Sequence, residues 1–285
     1  MQNNKRKILL LVEGKTSEVE LFNKIIDCFP EIPVTKQDVL VYNTSLWALN
    51  NALTKEFGNE WYKEEIDFIE FLKSSPITQG QLIRLQSESN QKTEEFFADL
   101  RFRDIFLIFD YERQDHYFNE ELIKEMLSFW SESSENGLLY INYPMIEAYK
   151  HIKKELPDVE YLTRKCDCSI LFCQENQKNK YKQIVAKESS FTDLRKYTRE
   201  LFRSFVIHNL CKASSITKGS SELTVLNAEQ YWKNIDYSEI LEVQNQCSSD
   251  AATGFVYVLA TCLFFIPEYN SRLIFAKDLQ IKVNP

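Results

Sequence analysis

Glycine and proline are scarce, with 6 and 7 respectively among 285 residues. A chain that poor in breakers is neither collagen-like nor linker-dominated, and with 44% apolar and 27% charged side chains it is not a disordered one. Long hydrophobic runs are missing too. The longest, Ala251–Ile266, is interrupted by Thr253, Gly254 and Thr261. It falls short of the ~18–20 residues of a membrane span and reads as a buried helix. The N-terminal run Ile8–Val12 is too short for a signal-peptide core, and Glu13 ends it. There is no excess of positive charge. The 34 basic and 42 acidic side chains give a formal charge of −8, which argues against coating nucleic acid by bulk charge. A local basic groove or an acidic metal site stays open. No glycine precedes Gly14-Lys15-Thr16 at the spacing of a phosphate-binding loop, so ATP hydrolysis by that device is not expected. No Ser-His-Asp or Cys-His set surrounds a nucleophile elbow. Seven cysteines, an odd number in a chain too large to need staples, fit free thiols in a reducing, cytoplasmic compartment.

What the chain does have is an aromatic-rich core, with 20 Phe and 14 Tyr. Three short runs without polar alternation read as strands covered on both faces: Lys7–Val12, Arg103–Phe109 and Gly137–Ile141. Asp38–Tyr42 is a fourth. A helix capped by Thr16 or Ser17 lies between the first two in chain order, making a βαβ unit. Ser45–Asn90 reads as mostly helical. Helices are also expected over Asn119–Ser131 and from Met145 to Glu155. Beyond that, Phe191–Lys212, Ala228–Gln246 and Ala251–Phe265 are helix candidates. The expected fold class is α/β: residues 1–160 form a Rossmann-like parallel sheet with a helical insertion at about 45–100, and residues 161–285 form a mainly helical region.

Chemistry concentrates where strands end. Glu13 follows ILLLV, Asp110 follows IFLIF, and Glu112 comes two residues later. Ligands of open parallel sheets bind outside the carboxyl ends of the strands. Carboxylates gathered there repel unless a cation joins them. Oxygen-only donors suit Mg²⁺ or Mn²⁺ rather than zinc, and such an ion serves phosphoryl chemistry.

The pattern Val12-Glu13-Gly14-Lys15-Thr16-Ser17-Glu18, then Phe109-Asp110-Tyr111-Glu112, then Tyr143-Pro144-Met145-Ile146-Glu147, resembles the Toprim domain over roughly residues 5–155. It is most similar to the small Toprim nucleases of bacterial anti-phage defence, the PARIS effector and the OLD-like enzymes. Two departures stand out: the second acid of the pair is Glu112 rather than Asp, and Glu13 and Asp110 are widely separated along the chain. The resemblance implies a Toprim-like fold and Mg²⁺-dependent (or Mn²⁺-dependent) endonuclease activity on DNA or a structured RNA such as tRNA. It further implies control by a partner ATPase, and a homo-oligomer is possible. It assigns Glu13, Asp110 and Glu112 as metal ligands, Glu13 alternatively as the general base or acid. Gly14 would allow a phosphate close to the backbone, and Lys15 would neutralise it. Glu147 is a further candidate acid.

Other readings stand beside these. Strand ends often carry polar residues, so Glu13 and Asp110 can simply cap turns. Glu112 and Lys15 can be solvated, Glu18 a helix-capping residue, and Asp115 and His116 ordinary loop side chains. Cys166-x-Cys168 with Cys173 lacks standard zinc spacing and an evident fourth ligand, while Cys28, Cys211, Cys247 and Cys262 look like core thiols. Lys178–Arg203 carries eight basic side chains against three acidic, a net +5. Within it Arg195, Arg199 and Arg203 recur every four residues, with Lys196 alongside and Tyr181 and Tyr197 interleaved. This is either a nucleic-acid groove or a solvated helix face paired with acids. A non-catalytic binding or sensor module, favoured by Glu112 standing in place of Asp, is the rival to the nuclease. A primase-type nucleotidyl transferase is a third possibility.

Overall fold

The computed structural model describes residues 7–35, 39–42, 44–74, 102–153, 156–171 and 180–276. The second half of the expected helical insertion, together with Cys173 and Lys178, lies outside them.

Strand β1 (Lys7–Val12) leads into helix α1 (Ser17–Cys28), then β2 (Val39–Val41), α2 (Leu46–Phe57) and α3 (Phe68–Ser74). Next come β3 (Phe102–Asp110), α4 (Glu120–Phe129), β4 (Ser131–Glu132) and β5 (Gly137–Asn142). These strands form one sheet in the order β2-β1-β3-β5-β4. β1 pairs parallel to both β2 and β3, while β4 pairs antiparallel to β5. The fold is thus α/β with a sheet in which parallel pairing dominates, as in Rossmann-like proteins. Every expected strand is present. Their unbroken apolar runs follow from burial: Ile8–Val12 and Phe106–Phe109 are covered on both faces.

The chain groups into two compact, discontinuous units: residues 1–26, 33–109 and 121–140, and residues 27–32, 110–120 and 141–285. In the first unit an aromatic cluster of Trp61, Phe129 and Trp130 packs at centroid distances of 5.0–5.6 Å. The Trp61 indole donates to Asn50 Oδ1 at 2.9 Å, so the buried ring keeps its polar edge satisfied.

The second unit contains β6 (Lys165–Asp167), α5 (Cys168–Leu171), α6 (Lys180–Glu188), α7 (Arg199–Lys218), α8 (Val225–Trp232), α9 (Tyr237–Cys247), β7 (Phe255–Tyr257), α10 (Phe265–Asn270) and α11 (Arg272–Phe275). Three expectations are corrected here. The stretch 251–266 is not one helix. After a turn over residues 251–253 it forms β7, antiparallel to β6, and passes through a 3-10 segment (Thr261–Phe264) into α10. Its Phe-Val-Tyr core favours a strand, and Gly254 sits where an added Cβ would lie 2.9 Å from the Cys247 carbonyl oxygen and closer still to that of Asp250. The stretch 228–246 is two helices, because Asp236 caps α9 by accepting from the amides of Ser238 and Glu239. The helix expected from Met145 is a short 3-10 segment, Ile146–Lys150.

α7 threads the core of this unit and brings a polar network with it. Asp158 and Arg164, both buried, pair at 3.0 Å. Lys212 is fully buried and donates to the carbonyls of Tyr161 and Arg164, at 2.7 and 2.5 Å. It thereby satisfies carbonyls at the end of the 3-10 segment Val159–Thr163. His151 is buried between the Tyr181 hydroxyl at 3.0 Å and Glu188 at 3.2 Å. Burial pulls its pKa from 6.5 down to about 4, against the opposing hydrogen bond from Glu188 and with the Arg164 charge assisting. The unfolded chain therefore binds a proton between pH 6.5 and about 4 that the folded chain does not. Stability falls as pH drops through that window, with a slope approaching about 1.4 kcal/mol per pH unit from this group. Urea midpoints of wild type and His151→Gln, compared at pH 7 and 5, are expected to show a smaller acid loss in the variant. Equal losses would remove His151 as their source.

Candidate functional site

Strand order locates the switch point of the sheet. From β1 the chain goes to β2 on one side and then to β3 on the other, so direction reverses between β1 and β3. Val12 lies opposite Ile108, and the Glu13 amide extends the ladder by donating to the Ile108 carbonyl at 3.1 Å. Glu13 is the first residue past β1, and Asp110 is the last residue of β3.

In the first unit, Glu13 and Gly14 are partly buried and Lys15 is exposed. Gly14 has a defined spatial role. A Cβ on it would stand 2.5–2.8 Å from the carboxylate atoms of Glu18. Glu18, on the first turn of α1, is buried, and its carboxylate folds back over the Gly14 backbone. The Glu18 carboxylate therefore occupies the place that a side chain at position 14 would take. Glu18 was readable as a capping residue; the only hint of more was a glycine four positions before a helical glutamate.

In the second unit, Asp110 is half-buried and its Oδ1 accepts from the Ile146 amide at 2.7 Å. It thus holds the start of the segment that carries Glu147. Tyr111 is buried, its amide donates to the Asn142 carbonyl at 3.0 Å, and its hydroxyl meets Asn245 and Ser248 at 2.5 and 3.1 Å. Burial raises the Tyr111 phenol far above its ordinary pKa, the Ser248 hydrogen bond opposing only in part, so it stays neutral. Glu112 has φ 38°, alone among described non-glycine residues in being positive. That conformation costs a glutamate about 1 kcal/mol or more and is held by the turn in which Asp115 N donates to Glu112 O at 2.8 Å. Glu147 is 3% exposed, and Lys182 approaches its Oε1 at 3.1 Å. Sequence reading left Lys182 as one more member of the basic stretch.

Donor chemistry and assembly give different answers about a metal. Glu13, Asp110, Glu112 and Glu18 offer oxygens only, the donor set of a hard divalent cation. Among the described residues, no group of three or more His, Cys, Asp or Glu side chains is arranged to hold a metal ion. Oxygen donors suit Mg²⁺ better than zinc, and Mg²⁺ is commonly held by one or two carboxylates plus waters and substrate phosphates. Burial pushes the thiols of Cys166 and Cys168 up to about 12 and about 11. None of the six described cysteines forms a disulfide.

The basic stretch is differently built from the expected single helical face. Arg195 lies in a 3-10 turn (Leu194–Lys196) outside α7, which begins only after its cap Thr198. Arg195 pairs with Asp193 at 2.8 Å, Arg199 with Glu31 at 2.6 Å, and Arg203 donates to the Leu273 carbonyl at 2.6 Å. Lys196 is exposed. Two of these three partners are acids. Arg199 also lies over the Phe29 ring, 4.9 Å from its centroid. Among the described residues, no helix is long and apolar enough to cross a membrane.

No family model, no curated protein and no solved structure matches this chain.

Proposed function

We propose that the chain is a divalent-metal-dependent nuclease of Toprim type, hydrolysing phosphodiester bonds of DNA or a structured RNA such as tRNA. The observation that supports this most is the strand order. The sheet reverses direction between β1 and β3, and the two strands that flank the reversal are followed or closed by Glu13 and Asp110. Glu13, Asp110 and Glu112 are the proposed metal ligands, with Glu18 added from its burial over Gly14. Bound Mg²⁺ or Mn²⁺ would polarise a phosphoryl oxygen and lower the pKa of its water. Lys15, exposed and two residues after Glu13, would meet a phosphate. The motif resemblance further supports a role in anti-phage defence under a partner ATPase.

One observation favours a second reading, a non-catalytic module. Asp110 already serves the fold by capping Ile146. The two separate by experiment. Wild-type protein is incubated with supercoiled plasmid and with total tRNA, in Mg²⁺, Mn²⁺ or EDTA, with and without the product of the neighbouring gene. Cleavage that requires a divalent ion is the expected result. Intact substrates under every condition would leave the binding module as the reading.

A further inference from the structure

The loop that follows β3 is anchored at nearly every residue, yet it holds two aromatic rings out in solvent. Tyr117 is 53% exposed, and the His116 side chain 79%. Their rings lie together, with centroids 3.8 Å apart and planes at 42°. Their neighbours Asp115 and Phe118 are partly buried and tie the loop down. Phe118 N donates to Asp115 O at 3.0 Å, and Tyr117 N to Asp115 Oδ1 at 2.8 Å. The Phe118 ring meets Tyr111 edge-on at 5.4 Å and carries the Arg113 guanidinium 4.3 Å above it. Arg113 is in turn tied to Glu120 at 3.0 Å. Two consecutive aromatic residues thus have opposite fates: Phe118 is packed into the loop, and Tyr117 is displayed by it. Exposure leaves the Tyr117 ring open to a ligand beside its contact with His116.

We infer that His116 and Tyr117 form a stacking platform for an unpaired nucleobase. This inference rests on the nuclease reading for its choice of ligand and adds to it the class of substrate. Both faces of a base in a duplex are covered by its neighbours; only a single-stranded or flipped-out base offers a free face to a protein ring. The position suits this use. Tyr117 follows Glu112 by five residues, at most about 18 Å of extended chain, and the two turns between them shorten it. A strand whose phosphate reached Asp110 and Glu112 would bring a base within a few nucleotides of the rings. The substrate is therefore single-stranded at the cut, or a hairpin loop, rather than a continuous duplex.

The test measures binding in EDTA, where no cleavage occurs, by fluorescence anisotropy of a labelled single-stranded oligonucleotide and of the same sequence as a blunt duplex. Both side chains are exposed, so their variants fold. Wild type is expected to bind the single strand more tightly than the duplex. Tyr117→Ala is expected to weaken single-strand binding about 5- to 150-fold, the loss of one base stack, while leaving the salt dependence unchanged because no charge is removed. Tyr117→Phe is expected to stay within about twofold of wild type, since the ring is what acts. His116→Ala is expected to show a smaller loss of the same kind. Single-strand binding unaffected by Tyr117→Ala, or a duplex bound as tightly as the single strand, would overturn the platform. Failure of the nuclease reading is distinct. It would appear as no cleavage in any metal, with Tyr117-dependent binding intact.

Discussion

Asp110→Asn is expected to leave the fold in place and to reduce cleavage at least ~10²-fold, the order of the loss when a carboxylate that holds a catalytic cation is removed. The choice of asparagine follows from the geometry. Asp110 Oδ1 accepts from the Ile146 amide at 2.7 Å, and an amide oxygen of the same shape can accept that bond. The exchange of a charged for a neutral acceptor costs about 1 kcal/mol, whereas Asp110→Ala would remove the cap and mix stability with activity. Glu13→Ala is expected to give a cleavage loss of the same order. Its backbone amide still reaches Ile108 O, and its side chain is only partly buried, so the strand pairing survives. Initial rates on the preferred substrate, beside denaturant midpoints for each variant, make the comparison. An Asp110→Asn protein that folds and cleaves like wild type would end the metal-ligand assignment.

Asp158→Ala is expected to destabilise the protein by about 3–5 kcal/mol, the cost of stranding a buried charge. Asp158 is fully buried and Arg164 nearly so. The carboxylate also accepts from the Lys153 amide at 3.1 Å, and the Asp158 amide donates to His208 Nε2 at 3.0 Å. Burial raises the Asp158 pKa, but the hydrogen bond and charge of Arg164 outweigh it and hold the carboxyl below its ordinary value. Its stabilising share is therefore present above the usual carboxylate pKa and is lost as pH falls through the lowered one. Combining Asp158→Leu with Arg164→Met removes both charges, and the pair should cost less than the sum of the single changes. A shift in denaturation midpoint equivalent to less than about 1 kcal/mol for Asp158→Ala would show that Arg164 finds another partner.

The strands were legible because burial on both faces leaves its mark directly on composition. ILLLV and IFLIF admit few other readings. Ala251–Ile266 misled because a run of apolar residues carries no period in sequence, so helix and strand look alike; Gly254 and the Phe-Val-Tyr core held the answer. The break within 228–246 was signalled by Asp236 and Glu239, which have the spacing of a helix start. The basic faces were harder. Arg195, Arg199 and Arg203 keep a helical interval in sequence, but Thr198 starts the helix between the first and second of them. What engages them, including Glu31 and the Leu273 carbonyl, comes from 168 and 70 residues away, a separation that local pattern cannot report. Glu18, read as a helix-capping residue, and Lys182, read as one of the basic stretch, escaped fuller reading for the same reason: their contacts depend on what packs against them.

The interleaving of the two units constrains how this polypeptide can be made and cut. Residues 27–32 and 110–120 belong with the C-terminal part although they are translated amid the sheet-forming segments. A ribosome that has released residue 140 has supplied everything the first unit needs, while those two short stretches still await their partners. No single truncation point yields the second unit alone. Dissecting the protein calls for circular permutation or for coexpressed fragments rather than a stop codon near residue 160.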